Sequence, residues 1–217
     1  MDIEQARFNM IEQQVRPWEV LDPDVLRLLF EVKRERFVPA PHAALAFADL
    51  EIPLGHGVAM MQPKMEARIV QELAVRPEET VYEVGTGSGY LTALLARRAK
   101  HVTSAEIHED LHTRAGSNLV DAGIGNVTLL RGDSARTVLG ETAYDVIVLT
   151  GSTPELPQAF VDRLNPGGRL FAIVGDAPVM KALVIERTAR GASRRTEIFE
   201  TLLDPLVNAL APSRFRF

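Results

Sequence analysis

The stretch Val81-Tyr82-Glu83-Val84-Gly85-Thr86-Gly87-Ser88-Gly89-Tyr90 runs from β-branched and aromatic residues through three alternate glycines into Leu91-Thr92-Ala93-Leu94-Leu95-Ala96. That order reads as strand, tight turn and helix, the opening unit of an α/β sheet. In such sheets ligands sit beyond the carboxyl ends of the strands, and glycine lets them approach the backbone closely. Strand-like runs recur at His101 to Ile107, Val127 to Arg131, Asp145 to Leu149 and Arg169 to Val174, with helical patterns between. This alternation is expected of a parallel sheet. Two more runs, near Ala182 to Arg187 and Thr196 to Leu203, are joined through Gly191 by a connection too short for a crossover. They predict a terminal hairpin, followed by a tail from Asp204.

The ligand is narrowed by the acidic residues. A dinucleotide fingerprint wants glycine at its sixth position, which counted from Gly85 is Tyr90. Glu83, just before the turn, would repel a pyrophosphate and attract a cation, and S-adenosylmethionine carries both an ammonium and a sulfonium. Glu106 closes the second strand about 20 residues past the first glycine, where a carboxylate accepts hydrogen bonds from ribose hydroxyls. Asp133, in Arg131-Gly132-Asp133-Ser134, stands where it would accept from an adenine amino group while a neighbouring backbone N–H donates to the ring. Each residue alone suits a turn or a cap, but three acids ending three successive strands beside one turn point to a nucleoside cofactor.

Upstream, Asp22-Pro23 reads as an N-cap with proline at the first helical position, and Val25, Leu28, Leu29 and Val32 fall on one face. Met1 to Val15 is expected to be helical too, as is a segment from Pro63 with Met65, Ile69, Val70 and Leu73 in a stripe. Between them, residues 37 to 63 are dense in proline and glycine and read as an ordered loop. The texture changes near residue 77, so residues 1–76 are expected to form a helical and substrate-loop segment packed on a cofactor-binding core of residues 77–217, one structural domain overall.

With 217 residues, 46% hydrophobic and 24% charged, the chain is long enough for one globular domain with an appendage. The absence of cysteine excludes disulfides, thiolate metal sites and thiol nucleophiles, and no metal is expected. A net charge of -5 argues against a nucleic-acid partner. No apolar run approaches the length of a membrane helix, and Asp2 and Glu4 do not suit a secretory signal, so a cytoplasmic protein is expected.

Beyond the turn, the sequence resembles the protein-L-isoaspartate O-methyltransferases. The resemblance rests on Arg34-Glu35-Arg36-Phe37-Val38-Pro39, Pro53-Leu54-Gly55-His56-Gly57, Gln62-Pro63, Glu83 to Tyr90, Val102 to Glu106, Tyr144 to Gly151, Pro154-Glu155-Leu156-Pro157 and Leu164-Asn165-Pro166-Gly167-Gly168-Arg169-Leu170, all in the family's order. It implies an α/β, Rossmann-like class I methyltransferase fold: a seven-stranded, mostly parallel sheet flanked by helices, with an N-terminal helical extension. It implies S-adenosyl-L-methionine as cofactor, with Glu83, Gly85, Thr86, Gly87, Ser88 and Gly89 around its methionine part. Glu106 is implied at the ribose, Asp133 and Ser134 at the adenine, and Thr150 after the fourth strand. The implied substrate is a peptide or protein bearing an isoaspartyl residue.

The acceptor side departs from the family. Where relatives read Gly-Gln-Thr-Ile-Ser before a short spacer and proline, this chain has Gly57-Val58-Ala59-Met60-Met61-Gln62-Pro63. The family's threonine falls on Ala59 and its serine on Met61, so both hydroxyls are lost and the loop is apolar. His56 is the nearest residue able to supply a donor. The C-terminal stretch Phe199 to Val207 departs from the family's peptide-holding strand, and Arg187, Arg190, Arg194 and Arg195 form a basic cluster. Three functions stay open on the sequence: isoaspartyl carboxyl methylation, methylation of another acceptor such as a small apolar molecule, and cofactor or partner binding without turnover.

Overall fold

The computed structural model describes residues 2–188 and 191–210. Helix α1 (Ile3–Met10) begins where the Asp2 carboxylate accepts from the backbone N–H groups of Glu4 and Gln5, and it continues into a wider turn over Ile11–Val15. Helix α2 (Pro23–Glu31) starts as its sequence predicts, with Asp22 accepting from the N–H groups of Asp24 and Val25. Val25, Leu28 and Leu29 are buried.

The proline- and glycine-rich stretch is more ordered than expected. It holds a small antiparallel hairpin, β1 (Ile52–Gly55) and β2 (Val58–Met60), turned through Gly55, His56 and Gly57. All three turn residues have positive φ, and glycine on either side of His56 makes so tight a reversal accessible. Helix α3 (Pro63–Leu73) follows, its C-terminus held by Arg169, which donates to the carbonyls of Leu73 and Ala74 and pairs with Glu79 at 2.8 Å.

The remaining elements are β3 (Thr80–Val84), α4 (Tyr90–Ala96), β4 (His101–Glu106), α5 (Glu109–Asp121), β5 (Val127–Arg131), β6 (Tyr144–Thr153), α6 (Gln158–Asp162), β7 (Leu164–Asp176), β8 (Val179–Arg187) and β9 (Ser193–Thr201). They form one seven-stranded sheet ordered β5-β4-β3-β6-β7-β8-β9. The first five are mutually parallel, whereas β8 runs antiparallel to β7 and to β9. Parallel strands bury both faces, and the core divides accordingly. Val81, Val146 and Phe171 join a cluster with the N-terminal helices, α3 and α4, while their neighbours Tyr82, Ile147 and Ala172 join a second with Phe160 and Leu164.

Strands β6 and β7 outrun the expected 145–149 and 169–174. At the far end of β6, Ser152 donates its N–H to Asp204 O and accepts from the N–H of Leu206, so the segment after β9 is laid back over the sheet. Gly151 makes this possible, since a Cβ there would lie 3.0 Å from the Leu206 nitrogen. In the basic cluster, Arg187 donates to the carbonyls of Asp162 and Leu164, and Arg194 pairs with Glu186; Arg190 lies outside the described residues. No described helix is long and apolar enough to cross a membrane.

Candidate functional site

The chain fills the sheet from β3 outward to β5, then returns to β6 on the other side of β3. A crevice must open at the carboxyl ends of strands where the direction of filling reverses. There β3 ends and the backbone turns through Gly85, Gly87 and Gly89, all at positive φ, before α4 begins. A Cβ on Gly85 would overlap Thr150 Oγ1. That hydroxyl bridges to Val84 O (2.7 Å) and Gly85 O (2.8 Å), so Thr150 fastens the turn to the end of β6.

The crevice offers about 780 Å³ of space when its solvent-open mouth is counted. Gly85, Gly87, Glu106, Asp133, Ser134 and Thr150 line it, as do Val58 and Ala59 from the hairpin. Glu106 is buried, and its carboxylate accepts from the N–H of Gly87 (2.8 Å) and of His108 (3.0 Å). Asp133 is exposed and accepts from Ala135 N–H and from Asn208 Nδ2. The Ser134 side chain is turned inward, donating to Thr137 O and bonded to the Tyr82 hydroxyl, so only its backbone is left for a ligand.

A smaller pocket adjoins this crevice across Gly85, Gly87 and Thr150, and is lined also by Glu83, Thr86, Ser88, Ala59, Met60, Met61 and Glu66. Glu83 is wholly buried; its Oε2 accepts from Ser104 Oγ (2.6 Å) and from the Thr92 hydroxyl, and Thr86 joins the chain through Ser104. Its Oε1 is buried without a partner among the described residues. Burial pushes the Glu83 carboxyl up to about 7 against those hydrogen bonds, with the Glu106 charge adding to the rise. The folded state therefore holds this proton more tightly than the unfolded chain. Without ligand, the Glu83 contribution to stability is expected to fall as pH rises from about 4.5 to about 7 and to level off above. Urea titrations at about pH 5 and pH 7.5 check this: the fall should shrink in Glu83→Gln, and an equal fall in both proteins contradicts it.

Two residues are not where the sequence suggested. Gly89 lines neither pocket; a Cβ there would sit 3.4 Å from the Ala115 side chain, so it serves the packing of the turn on α5. His56, expected as a substitute donor beside Met61, lies at the tip of the β1–β2 hairpin. Its Nε2 is 2.8 Å from Asp110 Oδ1 and its ring stacks on His108 at 4.1 Å, so it lines neither pocket.

Sequence reasoning missed the support of the acceptor loop. Arg34 is fully buried, donates to Ala46 O (3.0 Å), Met61 O (2.7 Å) and Glu66 Oε2, and lies over the Tyr90 ring. Met61 is fixed at its carbonyl, and its buried side chain lines both the small pocket and a groove with Gln62, Met65, Thr201 and Leu203. Leu203 and Leu206 also wall the main crevice.

A family model described as Protein-L-isoaspartate(D-aspartate) O-methyltransferase (PCMT) matches residues 5–210. The chain is 39% identical over 169 residues to the protein-L-isoaspartate O-methyltransferase of Methanoculleus marisnigri, spanning 78% of this chain and 77% of that one. It is 36% identical over 213 residues to protein-L-isoaspartate O-methyltransferase 2 of an Anaeromyxobacter species, spanning 98% and 82%. In fold it is similar to a Plasmodium falciparum beta-aspartate methyltransferase (PCMT) crystallised with S-adenosyl-L-homocysteine, with a TM-score of 0.79 at 21% identity over 95% of this chain and 99% of that one.

Proposed function

The chain belongs to the protein-L-isoaspartate O-methyltransferase family, and we propose that it transfers a methyl group from S-adenosyl-L-methionine to the free carboxylate of isoaspartyl residues in peptides or proteins. The observation that carries this reading is the match over residues 5–210, which takes in both the glycine turn and the Arg34 to Pro39 segment.

The crevice fits the cofactor. The Oε1 of Glu83, buried beside the glycine turn without a partner among the described residues, suits a cationic group, and Gly85 to Ser88 leave room for the amino-acid end next to it. Glu106 would accept from the ribose hydroxyls, and Asp133 from the adenine amino group while the backbone N–H of Ser134 donates to the ring. Thr150 keeps the turn open by holding two of its carbonyls. When bound, S-adenosylmethionine supplies an electrophilic methyl group on its sulfonium.

The remaining task of the protein is positioning. A carboxylate, with a reference pKa of about 4, is already ionised at neutral pH and needs no general base. Ala59, Met60, Met61 and Leu54 exclude water around the reacting atoms, which strengthens the attraction between carboxylate and sulfonium. The groove along Met61, Gln62, Thr201 and Leu203 is where the peptide would lie.

Mass spectrometry of an isoaspartyl peptide and its aspartyl twin, each incubated with enzyme and S-adenosylmethionine, tests the proposal. One methyl group is expected on the isoaspartyl peptide alone. Equal labelling of the twin, or none of either, would remove it.

A further inference from the structure

We propose that Glu66 is a second anionic anchor for the α-ammonium of the cofactor, acting beside Glu83 and oriented by Arg34. This rests on the cofactor reading given above and adds a residue to it that no glycine or strand-end motif contains.

Glu66 lies on α3, 2% exposed, and faces the small pocket that continues the main crevice past Gly85 and Gly87. Its Oε2 is held by Arg34 Nη1, while Nε and Nη2 of the same guanidinium donate to Ala46 O and Met61 O. Its Oε1 accepts no hydrogen bond from a described residue, and across the same pocket Glu83 Oε1 is buried without a partner. With both carboxylates ionised against one guanidinium, one negative charge would be in excess, and a buried excess charge is costly unless a cation balances it. Burial pushes Glu66 up to about 8 against the pull of Arg34, with Glu83 adding to the rise, and Glu83 up to about 7. Both carboxyls are thus held toward the neutral form until a cation arrives. With adenosine between Glu106 and Asp133, the amino-acid end of the cofactor extends past Gly85 and Gly87 into this pocket, and its ammonium is the cation at hand.

The test is calorimetric titration of wild-type and Glu66→Gln protein with S-adenosylhomocysteine, which has the ammonium, and with 5′-methylthioadenosine, which lacks the amino-acid end. S-adenosylhomocysteine is expected to bind Glu66→Gln about ten- to a hundredfold more weakly, with methylthioadenosine changed by less than about twofold. An unchanged S-adenosylhomocysteine affinity overturns the proposal, and so does an equal weakening of both ligands, which would mark Glu66 as structural only. If Glu66→Gln does not fold, the same comparison is made with Arg34→Gln/Glu66→Gln, which removes both charges together. A wild-type protein that binds neither ligand would overturn the cofactor reading itself, a result separate from the comparison of variants.

Discussion

Replacing Arg34 with alanine is expected to lower the stability of the folded chain by about 3–5 kcal/mol, the usual cost of removing one partner from a buried ion pair. Three acceptors lose their donor at once: the carbonyls of Ala46 and Met61 and the carboxylate of Glu66. None of them reaches bulk water, because Arg34, Ala46, Met61 and Glu66 are all buried. The Tyr90 ring loses the guanidinium that covers it at 5.2 Å. Much of the damage should come from the stranded carboxylate, so Arg34→Ala/Glu66→Ala is expected to be less destabilised than the two single changes summed, by about 1 kcal/mol or more. The pH dependence has a definite sign. Glu66 already favours its protonated form up to about 8, and without Arg34 it favours it further, so the pH-dependent part of the loss should be small at about pH 6, where both folded proteins hold the proton, and larger at about pH 9, where only the variant still does. Urea midpoints of the three variants and the wild type at both pH values decide the matter. A loss of under about 1 kcal/mol in Arg34→Ala would mean that the pair is not what holds the acceptor loop.

The sheet was legible because parallel strands buried on both faces leave continuous apolar runs, and β3, β4 and β5 fall within a residue of the boundaries read from the sequence. The ends of β6 and β7 were not. The end of β6 is extended where Ser152 and Thr153 pair with Ile173 and Val174 and where Ser152 bonds to Asp204 and Leu206, and β7 is extended by Asp176 opposite Val179 and by Leu164 opposite Tyr144. All but the Asp176 pairing join residues distant in the chain, which no local pattern encodes. The β1–β2 hairpin was hidden by the residues that permit it, since Pro53, Gly55 and Gly57 lower strand propensity in the same stretch.

The site divides the same way. Glu83, Glu106 and Asp133 line the crevice and its adjoining pocket because strand ends in a parallel sheet converge, so position along the chain stands in for position in space. Glu66 could not be read in this way. On α3 it looks like one more polar residue of an amphipathic helix, and only its meeting with Arg34, 32 residues earlier, marks it as buried. Ser134 lines the crevice and Gly89 does not. The first turns its hydroxyl into the core toward Tyr82, and the second makes room for α5, since spacing locates a backbone without saying which way it faces. His56, expected as a donor, lies away from the pocket for a similar reason, because a backbone at positive φ carries its ring to Asp110 and His108.

Met61→Ser is expected to raise kcat/KM for an isoaspartyl peptide by about ten- to a hundredfold, because a hydrogen bond to a charged group contributes about 1.5–3 kcal/mol and each 1.36 kcal/mol is a factor of ten. Arg34 fixes the backbone here through Met61 O, so the new side chain starts from the same Cα and points toward the same pocket. The serine hydroxyl would donate to the acceptor carboxylate, a bond that methionine sulfur cannot supply. The substitution also empties space. Removing a buried methionine costs about 2 kcal/mol or more of stability, so rates must be normalised to folded enzyme. Ala59→Thr on the same background tests whether the second missing hydroxyl adds to the first. A Met61→Ser enzyme with unchanged or lower kcat/KM would mean that the carboxylate is already held by another donor. Gln62 and Thr201, which share the groove with Met61, are then the side chains to replace, and the loss of activity in one of those variants would locate the hydrogen bond that the serine was expected to make.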